Sequence, residues 1–188
     1  MTLFIDACTR NNSRTRELAQ HLLDKFSDDI QTLELYKTTL PELDEKAIYE
    51  RETACSENDE NNFFIKLAKQ FTSADIIVIA APFWDLSFPS KLKLYIENIY
   101  ITGIVSCYGP DGMPVGLCKA KELIYVTTAG GPFDGRFGYG YLEALCKVYF
   151  GIPEVSLVKA EMLDIIGNDP DRIVEEAIEE YCSCESER

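Results

Sequence analysis

Two kinds of apolar pattern alternate along the chain. Thr2 to Ala7 (TLFIDA), Ile30 to Leu35 (IQTLEL), Ile76 to Ala81 (IIVIAA), Glu122 to Thr127 (ELIYVT) and Glu154 to Ala160 (EVSLVKA) are short runs rich in β-branched and aromatic residues. They predict five strands. IIVIAA is so continuously apolar that it must be buried on both faces, whereas IQTLEL alternates like a strand nearer an edge. Between these runs the period changes. Ser13 to Phe26 carries Leu18, Ala19, Leu22, Leu23 and Phe26 at helical spacing, and residues 62–71, 90–101, 139–150 and 170–181 read as further helices. In the helix from Ser90, the residues Leu92, Tyr95, Ile96, Ile99 and Tyr100 face inward, and Pro89 stands at its start, where proline is tolerated. Glu42 to Asn61 is polar without a persistent period and predicts an irregular or partly helical excursion. Residues 104–120 hold Gly109, Pro110, Gly112, Pro114 and Gly116, a turn-rich excursion suited to a hairpin. Strands alternating with helices predict an α/β fold, a three-layer, doubly wound, parallel five-stranded sheet forming one domain over residues 1–188. Right-handed crossovers place helices on both of its faces.

In open sheets of this kind ligands lie beyond the carboxyl ends of the strands, where the strand order reverses. Three loops leave those ends: CTRNNSRT after the first strand, PFWDLSF after the third and TAGGPFDGRFG after the fourth. The first contains Thr9, Asn11, Asn12, Ser13 and Thr15, all hydrogen-bond donors, with Arg10, Arg14 and Arg16 among them. It runs directly into a helix N-terminus, whose free amides favour an anion. The pattern points to phosphate; the plainer reading is an N-cap at Ser13 beside surface arginines. Neither GxxxxGK[ST] nor GxGxxG is present, which disfavours nucleoside triphosphates and the usual dinucleotide fold. In the second loop Phe83 and Trp84 can wall a flat ring, and in the third Gly130 and Gly131 let the main chain approach one closely. A phosphate on the first loop with a ring against the others describes flavin mononucleotide (FMN). The competing reading has Trp84 and Phe88 covering the core or a subunit contact.

Charge and composition remove other classes. A formal charge of −14 argues against nucleic acid as a partner, because binding a phosphate backbone needs Lys and Arg to displace counterions. The acidity sits in surface-like stretches, Glu42 to Glu60 and Asp169 to Glu187, and reads as solubility. No apolar run is long enough to span a membrane, and MTLFIDACTR lacks the features of a signal peptide, so a cytoplasmic protein is expected. The seven cysteines are scattered without a CxxC, which signals neither a disulfide framework nor a metal site; Cys182 and Cys184 read as exposed or packed thiols. His21 is the single histidine, so no histidine pair can ligate a metal, and its neighbours place it on a helix surface.

The ordered motifs SRTREL, APFWDLSFPSKLKLYIE, YGPDGMPVGLCKAKELIYVTTAGG and YLEALCKVYFGIPEVSLVKAEML carry a resemblance. The chain resembles the flavodoxin-like FMN-dependent NADH:azoreductase and NAD(P)H quinone reductase family through most of its length. The family's proline-led loop stands here as Pro82, Phe83, Trp84, Asp85, Leu86 and Pro89, and its glycine pair as Thr128, Ala129, Gly130 and Gly131. The resemblance implies that Ser13, Arg14 and Thr15 hold the FMN phosphate, and the arginine cluster adds Arg10 to the expected cofactor-binding residues. It also implies that Phe83 to Leu86 and Thr128 to Gly131 line the isoalloxazine. Phe83, Trp84, Asp85 and Leu86 depart from the family's usual Met, Tyr, Asn and Phe. An ionised Asp85 near the flavin would oppose its reduction, so a side chain turned away to cap the following turn is the favoured expectation. The activity implied by the resemblance is that of an oxidoreductase, in which NADH or NADPH delivers two electrons through the flavin to a quinone or azo compound by ping-pong turnover. The cofactor carries the chemistry, so no side chain is required as nucleophile or obligatory acid. Phe83, Trp84 and Phe133, with Tyr108 and Phe137 as additions, form the expected substrate slot, and a homodimer is expected with the site near its interface. Two other classes remain: a flavodoxin-type electron carrier, and a receiver domain using Asp6, Asp85, Thr127 and Lys159.

Overall fold

The computed structural model of the protein describes residues 1–26 and 29–185, with the backbone alone at 182, 184 and 185. The expectation for the Cys182 and Cys184 thiols therefore lies outside the described residues. In chain order the elements are β1 (Thr2–Asp6), α1 (Arg14–Leu23), β2 (Ile30–Glu34), α2 (Glu45–Glu57), α3 (Phe63–Ser73), β3 (Ile76–Ala80), α4 (Ser90–Ile99), β4 (Ser106–Tyr108), β5 (Pro114–Gly116), β6 (Glu122–Thr128), α5 (Tyr139–Leu145), β7 (Glu154–Ala160) and α6 (Pro170–Glu185). A π-helical stretch, Cys146–Phe150, continues α5.

Five strands form one parallel sheet in the order β2-β1-β3-β6-β7, as the apolar runs predict. The centre is dry because β1, β3 and β6 are apolar on both faces, and the two edges, β2 and β7, retain exposed positions. Alternate residues of each strand feed two cores. Leu3, Ile5, Ile77, Ile79, Leu123 and Tyr125 face α3, α4 and α5, while Phe4, Val78, Ala80, Ile124 and Val126 face α1 and α6. Strand order reverses between β1 and β3, so their carboxyl ends diverge into a crevice.

Where the pattern was silent, caps decide the structure. The polar stretch 42–61 contains a full helix, α2, although Ala47 and Ala54 are its only buried residues and leave no apolar period to read. Asp44 starts it by accepting from the Ala47 amide at 2.8 Å, and Asn58 ends it in the left-handed conformation. The excursion 104–120 forms the hairpin β4–β5. Gly116 of this hairpin lies directly on the backbone of Phe150 and Gly151, which ties the excursion to the end of the π-helical stretch.

Candidate active site

Four loops meet above the sheet. The first is built around Arg16. Its Nε donates to Asp6, a carboxylate 3% exposed, and Nη2 donates to the Cys8 carbonyl at 2.7 Å; Nη1 donates to the carbonyls of Arg10 at 2.6 Å and Asn11 at 3.1 Å. One guanidinium thus shapes the whole turn before α1, and Arg16 is not among the residues that line the cleft between the loops. The Cys8 amide donates to Asp6 at 2.8 Å, and burial pushes the Cys8 thiol up to about 12, which keeps it protonated and unreactive. Ser13 caps α1, its Oγ accepting from the Arg16 amide at 3.4 Å, at the weak end of the range, and its side chain also hydrogen-bonds with the Cys8 thiol. Thr15 is buried, and its hydroxyl lies 2.6 Å from that of Thr128, joining the first loop to the third.

The second loop follows β3 with Pro82 and Phe83, the Phe83 amide donating to the Thr128 carbonyl at 3.0 Å. Trp84 and Ser87 then exchange two backbone hydrogen bonds, 2.9 and 2.8 Å, across a two-residue turn whose central residues Asp85 (φ 50°) and Leu86 (φ 67°) are both left-handed. Turns of this geometry favour Asn-Gly. Leu86 is exposed and pays for the conformation with about 1–2 kcal/mol of strain. Leu86→Gly relieves it, partly offset by the freedom glycine adds to the unfolded chain. A net gain of about 0.5 kcal/mol is expected, seen as a raised urea midpoint. The third loop brings Phe133 edge-on to Phe83, centroids 4.9 Å apart, and the Phe133 amide donates to Glu161 at 2.6 Å.

The loop after β7 completes the site, and the three-loop expectation missed it. Its amides bond along the third loop: Met162 to the Gly131 carbonyl at 3.1 Å, Leu163 to Ala129 at 3.2 Å and Asp164 to Gly130 at 2.9 Å. The signal was present, since this loop also leaves a carboxyl end of the same sheet.

Together the loops enclose a cleft of about 420 Å³, lined by Thr9, Arg10, Asn12, Ser13, Arg14 and Thr15 on one side. Pro82, Phe83, Trp84, Thr128, Ala129, Gly130, Leu163 and Asp164 line the rest. Such a volume is ordinary for a small-molecule site. Of the residues singled out in the sequence, Arg10, Ser13, Arg14, Thr15, Pro82, Phe83, Trp84, Thr128, Ala129 and Gly130 come together here. Asp85, Leu86 and Gly131 stand outside the lining. The turn carries Asp85 into solvent, and it does not cap α4, whose N-cap position is Pro89 and which has no side-chain cap hydrogen bond. Phe133 backs the cleft through Phe83. Phe137 is exposed beside Arg136, and Tyr108 lines a separate groove with Tyr100, Tyr141 and Tyr149. The receiver-like set does not assemble: Asp6 is committed to Arg16, Lys159 to Glu161, and Asp85 lies on an exposed turn.

The profile of the flavodoxin-like fold family matches residues 1–183. The chain belongs to this family. It is similar to the FMN-dependent NADH:quinone oxidoreductase of Coprothermobacter proteolyticus, with 35% identity across 95% of this chain and 94% of that one. The enzyme of the same name from Clostridium perfringens is 34% identical over 96% of each chain. Among solved structures, an azoreductase from Bacillus anthracis aligns with a TM-score of 0.81 and 25% identity over 95% of both chains. Among the described residues no helix is long and apolar enough to cross a membrane.

Proposed function

We propose that the protein is an FMN-dependent oxidoreductase that passes two electrons from NADH to a quinone or azo compound. One observation carries this reading: a single cleft joins a donor-rich turn at a helix N-terminus to an aromatic wall and a stretch of backbone at Ala129 and Gly130. The donor set fits the group. Ser13, Thr9, Asn12 and the Arg10 and Arg14 guanidiniums supply hydrogen bonds and positive charge for a phosphate, reinforced by the α1 N-terminus. Phe83 and Trp84 offer apolar faces for a flat ring. When bound, FMN supplies hydride and electron transfer. The chain's own contribution is placement: Arg16 and Asp6 hold the phosphate-binding turn, the Thr15–Thr128 contact fixes it to the ring-binding loop, and Phe83 and Trp84, with Phe133 packed behind Phe83, would keep water from a bound ring. The proposal includes ping-pong turnover, in which donor and acceptor use the same site in succession. NADPH is the alternative donor, and nothing in the cleft selects between the two.

The proposal extends to assembly and location. Residues 1–188 act as one domain. Tyr108, Met113, Val115 and Leu117 expose an apolar surface on the hairpin, and Trp84, Leu86 and Phe137 expose another by the cleft, surfaces suited to a homodimer. The unpaired cysteines among the described residues suit a reducing cytoplasm.

The absorption spectrum of the purified protein tests the reading. A yellow protein that bleaches on anaerobic addition of NADH and recovers on addition of a quinone is expected; colourless protein after incubation with FMN overturns it. An electron carrier of flavodoxin type would hold FMN yet fail to bleach with NADH alone.

A further inference from the structure

Asp164 occupies a position that a phosphate-binding cleft does not need. Its Oδ1 accepts from Nη1 of Arg14 at 2.9 Å, across the mouth of the cleft. Its Oδ2 lies over Gly130, only 2.2 Å from where a Cβ at that residue would stand, so the carboxylate covers the main chain that the sequence assigns to ring approach. The backbone beneath is fixed. The Asp164 amide donates to Gly130, its neighbours donate to Ala129 and Gly131, and Asn168 holds the Met162 carbonyl at 2.8 Å. Only the side chain is free to turn, and it is 72% exposed, with its Arg14 partner 45% exposed.

We propose that Asp164 is a built-in competitor for the phosphate end of the cleft, holding the Arg14 guanidinium that a phosphorylated ligand requires and thereby setting how strongly the site prefers FMN to riboflavin. The inference rests on the proposed flavin function. An exposed carboxylate and guanidinium bind each other weakly, so a phosphate dianion can displace the pair. The displaced carboxylate nevertheless stays tethered beside the new anion, and the two like charges share one cation. The charge penalty falls on the phosphate alone, because riboflavin carries the same ring and ribityl chain without the charge; the cost of moving the carboxylate off Gly130 is common to both flavins, and asparagine, with the same shape, leaves it in place. A site built this way holds its cofactor less tightly than its donors allow, and so exchanges it more readily.

The test titrates the full-length chain, freed of flavin, with FMN and separately with riboflavin, following quenching of flavin fluorescence. Asp164→Asn is expected to tighten FMN about tenfold and to leave riboflavin within about twofold, with the FMN gain shrinking as salt rises. In an Arg14→Gln background the same substitution is expected to gain less for FMN, about threefold or below, since competition for the shared cation is gone and only the repulsion between carboxylate and phosphate remains. FMN affinity unchanged or weakened in Asp164→Asn overturns the proposal. Equal shifts for both flavins also overturn it, assigning Asp164 to the ribityl chain or ring. If the unaltered protein binds neither flavin, the proposed function falls together with this inference. An unchanged urea midpoint for Asp164→Asn is expected and verifies that the variant is folded.

Discussion

Arg16→Met is expected to destabilise the protein by about 3–5 kcal/mol and to abolish flavin binding, although Arg16 is not among the residues lining the cleft. The size follows from what is stranded. Asp6 is 3% exposed at the carboxyl end of a central strand, and removing its cation leaves a buried carboxylate with one amide for a partner. Three carbonyls, those of Cys8, Arg10 and Asn11, lose their donor in the same step, so the turn that presents Ser13 and Arg14 loses its shape. Lysine cannot repair this, because four acceptors in different directions need the fork of a guanidinium. The double variant Asp6→Asn, Arg16→Met separates the two effects. It is expected to recover part of the stability, since the buried charge is gone, and none of the flavin affinity, since the carbonyls remain unbridged. Urea midpoints and flavin titrations read the two quantities independently; a midpoint for Arg16→Met equal to that of the unaltered protein would contradict the assignment.

The second large effect is expected at Gly116. A Cβ there would lie 2.1 Å from both the Gly151 nitrogen and the Phe150 carbonyl carbon, and these are backbone atoms with no rotamer to relieve the overlap. Gly116→Ala therefore has to lift the β4–β5 hairpin or shift the end of the π-helical stretch, at a cost of about 3 kcal/mol. The hydrogen bond from the Cys118 amide to the Phe150 carbonyl, 3.1 Å, would be lost with it. Gly131→Ala is the control, because nothing stands within 4 Å of that Cβ and the residue is not left-handed. A lowered thermal midpoint for Gly116→Ala beside an unchanged one for Gly131→Ala is the expected contrast.

The two variants mark the limit of what pattern conveys. Gly116 reads in sequence as one more turn residue in a Gly- and Pro-rich stretch, and its contact with Gly151 exists only because the hairpin packs against the end of the π-helical stretch. Arg16 reads as a third phosphate-binding arginine, since nothing local separates it from Arg10 and Arg14. Only its place on α1, reaching back over the end of β1, turns its side chain into the frame of the loop. The helix α2 is hidden for a different reason. Its stability comes from the Asp44 and Asn58 caps, with two small buried alanines, and a helix without an apolar stripe has no period to detect.

By itself the sequence determined the parallel sheet, the crossovers and the identity of three of the loops at its carboxyl edge. Burial imposes period and composition on each element locally, and those marks are legible residue by residue. The tertiary structure alone decided which charges meet. Arg14 and Asp164 are separated by 150 positions, and no local rule links them. They become partners because β7 lies beside β6, and the loop that leaves β7 is laced by hydrogen bonds along the loop that leaves β6. Charge pairing depends on distance through space, which the order of residues along a chain does not contain.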